Sequence, residues 1–337
     1  MILLSVLDQS PISSGRTAAE AIDETLELAR ATERYGYHRY WLAEHHSTET
    51  FAGSAPEILV TRVAEATKEI RVGSGGVMLS HYSPLKVAEV FRMLDTMYPG
   101  RIDLGIGRAP GSDGLTAQAL AYGSPVGVEY FPNRIADMAN LLLDEAPTTE
   151  AFASVRATPK SPNVPQVWLL GSSDQSALYA AHYGLAFSFA QFINPVNGPD
   201  VMQIYRDRFQ PSDHFAEAAG SISAFVICAE TEEEADAQAK SRDLFRLRVE
   251  TGRFLPYPSI EEAEAYDYSE RERMRVAQNR EALIVGTPDQ VKNDLEKMAE
   301  QHGVNEIIVL TICHDFEGRR RSYELVAEAF GLEKRDV

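Results

Sequence analysis

Three short stretches carry side chains able to do chemistry. Glu44-His45-His46 follows the apolar run Tyr40-Trp41-Leu42-Ala43, and Gly105-Ile106-Gly107-Arg108 closes another such run. Leu170-Gly171-Ser172-Ser173-Asp174-Gln175-Ser176 leads from a third run into a helical pattern. A histidine that is neutral near pH 7 can both donate and accept a proton, so His45 reads as a general acid–base beside a cofactor, with His46 in the substrate pocket. Arg108 supplies a fixed cation and Gly107 permits close backbone approach, which is what a phosphate monoester requires. The first free N–H groups of the helix that opens near Ser173, with the Ser173 and Ser176 hydroxyls, can hold the same anion. Each reading has a plainer rival: a surface salt bridge for Arg108, bare helix capping for the serines, and satisfied core positions for the histidines.

Two familiar patterns are excluded on spacing. Gly105-Ile106-Gly107 resembles part of a dinucleotide fingerprint, but the place of the third glycine holds Pro110 and no helical pattern follows directly. Glu44, His45 and His46 are adjacent on an extended segment, so neighbours point in opposite directions, and no His-x-His is present; no metal site is expected. Gly73-Ser74-Gly75-Gly76-Val77 places glycines inside an apolar strand, where they mark a bulge or the close approach of a planar ligand. Phe189, Gln191 and Phe192, near the end of a later run, are expected to wall the substrate pocket.

The elements that must position these residues are legible as alternation. Eight apolar runs read as strands: Ile2–Leu7, Tyr40–Ala43, Ile70–Leu79, Ile102–Ile106, Val167–Leu170, Ala186–Phe189, Ile222–Cys228 and Ile307–Ile312. Helical patterns lie between them, the clearest over Pro288–His302, where Thr287-Pro288-Asp289-Gln290 offers a cap, a proline at the first position and a capping-box glutamine. In a chain of 337 residues that is 44% hydrophobic, this predicts one domain over 1–337, a (β/α)8 TIM barrel whose strands are buried on both faces. A doubly wound open sheet is the competing architecture. Two insertions interrupt the alternation, Gly111–Pro132 after strand 4 and Glu250–Gly286 between strands 7 and 8. Both are polar or rich in Gly and Pro and read as active-site loops, the second as a mobile lid over about 250–286.

A net charge of −18 and a pI near 4.9 oppose binding to nucleic acid or an anionic membrane, which leaves a small-molecule substrate as the expected partner. Cys228 and Cys313 are the only cysteines and are far apart, so neither a disulfide framework nor a zinc site is suggested. The apolar start Ile2–Leu7 is interrupted by Asp8 and lacks a basic leader, and no run approaches the ~20 apolar residues of a membrane span. The cytoplasm is the expected location.

Glu44-His45-His46, the stretch from Tyr98-Pro99-Gly100-Arg101 through Arg108, Leu170-Gly171-Ser172-Ser173 and Val285-Gly286-Thr287-Pro288 fall in one order and spacing, and with them nearly the whole chain resembles the bacterial luciferase-like monooxygenases. The resemblance implies a (β/α)8 barrel that forms a homodimer and uses reduced FMN or, alternatively, a deazaflavin. A separate flavin reductase would supply the reduced FMN. Carried over by position, His45 matches the active-site histidine, Arg108 the arginine that holds the FMN phosphate, and Ser173 and Ser176 its hydroxyl partners, with Gly171 and Ser172 beside them. Gly75-Gly76 matches a non-proline cis peptide that supports the flavin ring. Three positions depart: Gly107 stands where luciferase has a reactive cysteine, Pro110 where a backbone N–H meets the phosphate, and Ser172 where an acidic residue precedes the phosphate serine. The function implied is an FMN-dependent monooxygenase acting with oxygen on a small organic substrate. Deazaflavin-dependent hydride transfer, a metal-dependent barrel hydrolase and a non-catalytic flavin-binding protein are the alternatives.

Overall fold

The computed structural model describes residues 2–109, 111–122 and 128–337. Eight parallel strands close a barrel: β1 (Leu3–Asp8), β2 (Arg39–Leu42), β3 (Arg71–Met78), β4 (Ile102–Gly107), β5 (Gln166–Gly171), β6 (Ala186–Ala190), β7 (Gly220–Cys228) and β9 (Glu306–Leu310). Closure comes from β9, which pairs with β1 on one side and β7 on the other, while β6 pairs with β7. All eight apolar runs are therefore strands of one barrel. The open sheet is excluded.

Helices follow the strands and form the outer layer: α1 (Ala18–Arg34), α2 (Pro56–Ala66), α3 (Pro84–Met97), α5 (Phe131–Leu142), α6 (Asp174–His182), α7 (Gly198–Arg208), α8 (Glu232–Glu250), α11 (Pro288–His302) and α12 (Phe316–Phe330). The start of α11 is as its sequence requires, with Thr287 and Gln290 closing a capping box and Gly303 left-handed (φ 63°) at its end. Strand residues alternate between two cores. Leu4, Val6, Tyr40 and Leu42 pack outward with helix residues such as Leu28, Val63 and Phe91, whereas Leu7, Trp41, Trp168, Phe225, Ile308 and Leu310 fill the barrel interior. Cys228 and Cys313 are buried free thiols.

A charged cluster seals the barrel at the strand N-termini. Arg39 donates from Nε to Glu306 and from Nη1 to Asp103, each at 2.6 Å, and Arg71 and the Trp41 indole also donate to Asp103. The Arg39 guanidinium lies 4.7 Å from the Trp168 ring centre. A lone buried charge would be costly, and here each is paired.

The two insertions differ from the loops expected. The first contains α4 (Gly114–Ala121), and the second contains α9 (Ile260–Ala265), α10 (Glu270–Arg280) and a short ninth strand, β8 (Leu283–Gly286), which pairs with the end of β7 outside the closed ring. Each of these helices is short, none buries more than one residue, and α10 is largely polar, so the sequence pattern conceals them. Capping and charge hold them instead: Asp113, Ser259 and Ser269 cap their first turns, and Arg248–Glu262, Arg275–Glu250 and Arg280–Asp243 tie α9 and α10 to α8. Among the described residues no helix is long and apolar enough to cross a membrane.

Candidate active site

The C-terminal ends of the strands open into a cavity of about 330 Å³. Barrel active sites lie at this face because the loops after the strands converge there. Its walls combine the β2 end (Glu44, His45, His46), Gly75 of β3 and Phe192 after β6 with a face of α8.

His45 is fixed by its backbone N–H, which donates to the Gly53 carbonyl at 2.9 Å, and its ring lies 4.4 Å from that of Phe51. Its Nδ1 is buried with no hydrogen-bond partner among the described residues. Burial, with the neighbouring His46 adding to it, pulls the imidazole down to about 4, so the ring is neutral near pH 7 and keeps one nitrogen free to accept and one proton to give. His46 is oriented differently. Its Nε2 meets Glu44 Oε1 at 2.7 Å, and the buried Glu44 carboxylate also accepts from the Tyr82 hydroxyl at 2.7 Å and the Met78 N–H at 3.0 Å. Burial, followed by the Glu44 hydrogen bond, pushes the Tyr82 hydroxyl well above its ordinary value and keeps it a donor.

Between Ser74 and Val77 the pairing of β3 with β4 shifts register, and the Gly75–Gly76 peptide there is cis. Gly75 lines the cavity, as a floor for a planar ring would. Gly107, at the end of β4, lies opposite Leu170 of β5, so Arg108 and the Ser172–Ser176 turn follow adjacent strand ends. Ser173 caps α6 by accepting from the Ser176 N–H, and the two hydroxyls are 3.3 Å apart. Gly171 allows this turn, because a Cβ there would collide with the Ser176 side chain. Ser172 contributes its carbonyl to Asn194. Among the described residues no carboxylate pairs with the Arg108 guanidinium, so the surface salt bridge is not formed. Pro110 lies outside the described residues.

Two expected pocket residues are elsewhere. Phe189 is wholly buried in the outer core, with its ring 6.2 Å from that of His302, because β6 alternation turns it toward the helices. Gln191 turns away to meet His302 Nε2 at 3.2 Å and the Pro195 carbonyl at 3.1 Å. Conversely, sequence reasoning did not select Glu44 or the α8 residues Arg242, Phe245, Arg246 and Val249, all of which line the cavity. Their spacing of three, four and seven along one helix was the available signal. Among the described residues no group of three or more His, Cys, Asp or Glu side chains is placed to hold a metal.

An orphaned imidazole nitrogen, a glycine floor and a cation beside a serine-capped helix start suit a flavin mononucleotide. Gly75-Gly76 and His45 would face its ring, while Arg108, Ser173 and Ser176 would take its phosphate.

Comparison with known proteins bears on the family. The family model described as luciferase-like monooxygenase matches residues 3–306. The chain is 44% identical over 330 residues to the uncharacterized protein YceB of Bacillus subtilis (strain 168), covering 98% of this chain and 100% of the relative. It is 37% identical over 338 residues to the N-acetyl-S-alkylcysteine monooxygenase of the same organism, covering 99% and 100%. The crystal structure of apo-MsnO8 superposes with a TM-score of 0.88 at 37% identity, covering 99% of this chain and 100% of that one.

Proposed function

This chain belongs to the luciferase-like monooxygenase family and is an oxygen-incorporating oxidoreductase, and we propose that it oxygenates a small organic substrate with reduced FMN and molecular oxygen. The observation that supports the cofactor is Arg108, without an ion pair among the described residues, after a strand end paired with the one that leads to the Ser173-capped start of α6, together with a cavity at the same barrel face lined by His45 and Gly75. Reduced FMN held there would supply the electron pair by which one oxygen atom enters the substrate and the other leaves as water.

The chain's own residues have distinct tasks in this scheme. Arg108, Ser173 and Ser176 bind the phosphate, combining a charge-assisted contact with a helix N-terminus. The apolar walls from Phe51, Phe192, Phe225, Phe245 and Phe254 exclude water from the reacting face. His45, held neutral, moves a proton with its imidazole ring, which lines the cavity. Glu44 fixes His46 and, through Met78, the end of β3.

A flavin reductase is the expected source of reduced FMN. A homodimer is part of the same proposal, and Ile58 on α2 with Met93 and Met97 on α3 supplies exposed apolar surface for a second copy. Family membership sets aside the metal-dependent hydrolase, and deazaflavin-dependent hydride transfer is the alternative to test. Anaerobic titration with reduced FMN and with reduced deazaflavin, followed by admission of oxygen, separates them. Tight binding of reduced FMN and oxygen uptake with substrate support the proposal; preference for the deazaflavin without oxygen uptake overturns it. The relative's name makes N-acetyl-S-alkylcysteines the first compounds to try.

A further inference from the structure

The α8 wall of the cavity contains a cation that the cofactor scheme does not use. Arg242, Phe245, Arg246 and Val249 recur at helical spacing and turn one face of α8 toward the cavity. Arg242 is 3% exposed, and its hydrogen bonding is incomplete. Nη1 donates to the Asn279 carbonyl at 3.0 Å, and the guanidinium carbon lies 5.2 Å from the Phe225 ring centre. The nearest carboxylate, Asp243, is 3.9 Å away, too far to accept a hydrogen bond, and its other oxygen is taken by Arg280 at 2.7 Å. A guanidinium has five N–H donors. Four of the five are therefore left without an acceptor among the described residues. Arg246 is engaged with Glu250 at 3.1 Å.

The remaining charges of the cavity do not compensate Arg242. Glu44 is saturated by the Tyr82, His46 and Met78 donors, and Asp113 caps α4. The rest of the wall is largely apolar, with Leu7, Phe51, Phe225, Phe254 and Leu310. Asp243 offsets part of the buried charge from 3.9 Å, but the guanidinium donors that it does not reach are costly to bury unless an anion arrives to accept them.

We propose that Arg242 determines substrate specificity by binding the carboxylate of the substrate, which is a small organic acid with an apolar tail lying along the aromatic wall. This rests on the oxygenase reading of the same cavity and names the class of compound it takes. The carboxylate accepts two N–H bonds in the fork geometry that arginine offers. The tail then extends from α8 toward His45.

Binding of 4-phenylbutanoate and of its neutral amide, measured by titration calorimetry on the protein in the presence and absence of FMN, tests the assignment without turnover. The wild type is expected to bind the acid roughly 10- to 100-fold more tightly than the amide, the range of a charge-assisted hydrogen bond. Arg242→Met should erase that preference and leave the amide within about threefold, while reduced-FMN affinity stays at the wild-type value. Its melting temperature should fall only modestly, because Asp243 keeps its 2.7 Å bond to Arg280 while the Asn279 carbonyl loses the Arg242 donor. Arg242→Lys, which keeps the charge but not the fork, should retain part of the preference and serves if the methionine variant fails to fold. No preference in the wild type, or a preference that survives in Arg242→Met, overturns the proposal. Loss of reduced-FMN binding in the variants also overturns it, by assigning Arg242 to the cofactor. Failure of the wild type to bind reduced FMN at all would instead count against the oxygenase reading, because the acid–amide comparison is made without the cofactor as well.

Discussion

Glu44 and His46, two residues apart on the segment leaving β2, are joined by a 2.7 Å hydrogen bond, whereas the intervening His45 packs on Phe51 and keeps a buried Nδ1 with no partner among the described residues. The pair of histidines is thus divided between two tasks. Replacing His45 with alanine should keep reduced-FMN binding within a few-fold and lower turnover by about 10²–10⁴, the usual contribution of a placed acid–base group. His46→Ala should cost less. Anaerobic titration beside steady-state turnover checks both, and equal losses of affinity and activity in the two variants would mean that the pair is only structural.

The same burial makes His45 a source of acid sensitivity. Because its folded value, about 4, lies below the ordinary 6.5, the native state binds fewer protons than the unfolded chain between those limits. Stability from this group is complete above about pH 6.5 and is lost as pH falls toward 4, by at most roughly 3 kcal/mol. Urea unfolding at pH 7 and pH 4.5 should find that His45→Gln loses less stability over the interval than the wild type does. Parallel losses would show that protonating His45 costs nothing.

Arg108 makes no ion pair among the described residues, so removing its charge should act on ligand rather than on fold. With a charge-assisted hydrogen bond worth ~1.5–3 kcal/mol, Arg108→Ala should raise the reduced-FMN dissociation constant roughly 10- to 150-fold. The melting temperature of the free protein should change little. An unchanged dissociation constant by fluorescence titration would detach Arg108 from the phosphate.

Arg280 joins the end of α10 to Asp236 and Asp243 on α8 and so pins the segment expected to act as a lid. Arg280→Gln should speed tryptic cutting at Arg271, Arg273 and Arg275 by about 5- to 30-fold, equivalent to ~1–2 kcal/mol of local stability. In the wild type, saturating reduced FMN should slow the same cuts. Early cleavage elsewhere, or rates indifferent to ligand, would mean that the segment does not close over the site.

The barrel was legible because strands buried on both faces appear as unbroken apolar runs, and their ends marked the positions of His45, Gly75, Arg108 and Ser173. That same property hid which face each strand residue takes. Ala186–Phe189 is apolar at nearly every position, so nothing in the run indicated that Phe189 faces the helices. The α8 wall was illegible for a different reason: Arg242 and Arg246 look like solvent-facing charges until the neighbouring helices cover them. The short helix α4 depends on its Asp113 cap, and α9 and α10 depend on caps and on ion pairs to α8 rather than on periodicity, as in Arg280–Asp243, 37 residues apart.

Arg39, Asp103 and Glu306, with Trp41 and Trp168 above them, close the barrel end opposite the cavity. In the proposed scheme flavin and substrate would both enter from the other, C-terminal end, and the order of arrival would matter. A substrate molecule that enters ahead of the flavin obstructs it, so turnover is expected to pass through a maximum and decline at high substrate concentration, with the decline relieved by raising reduced FMN.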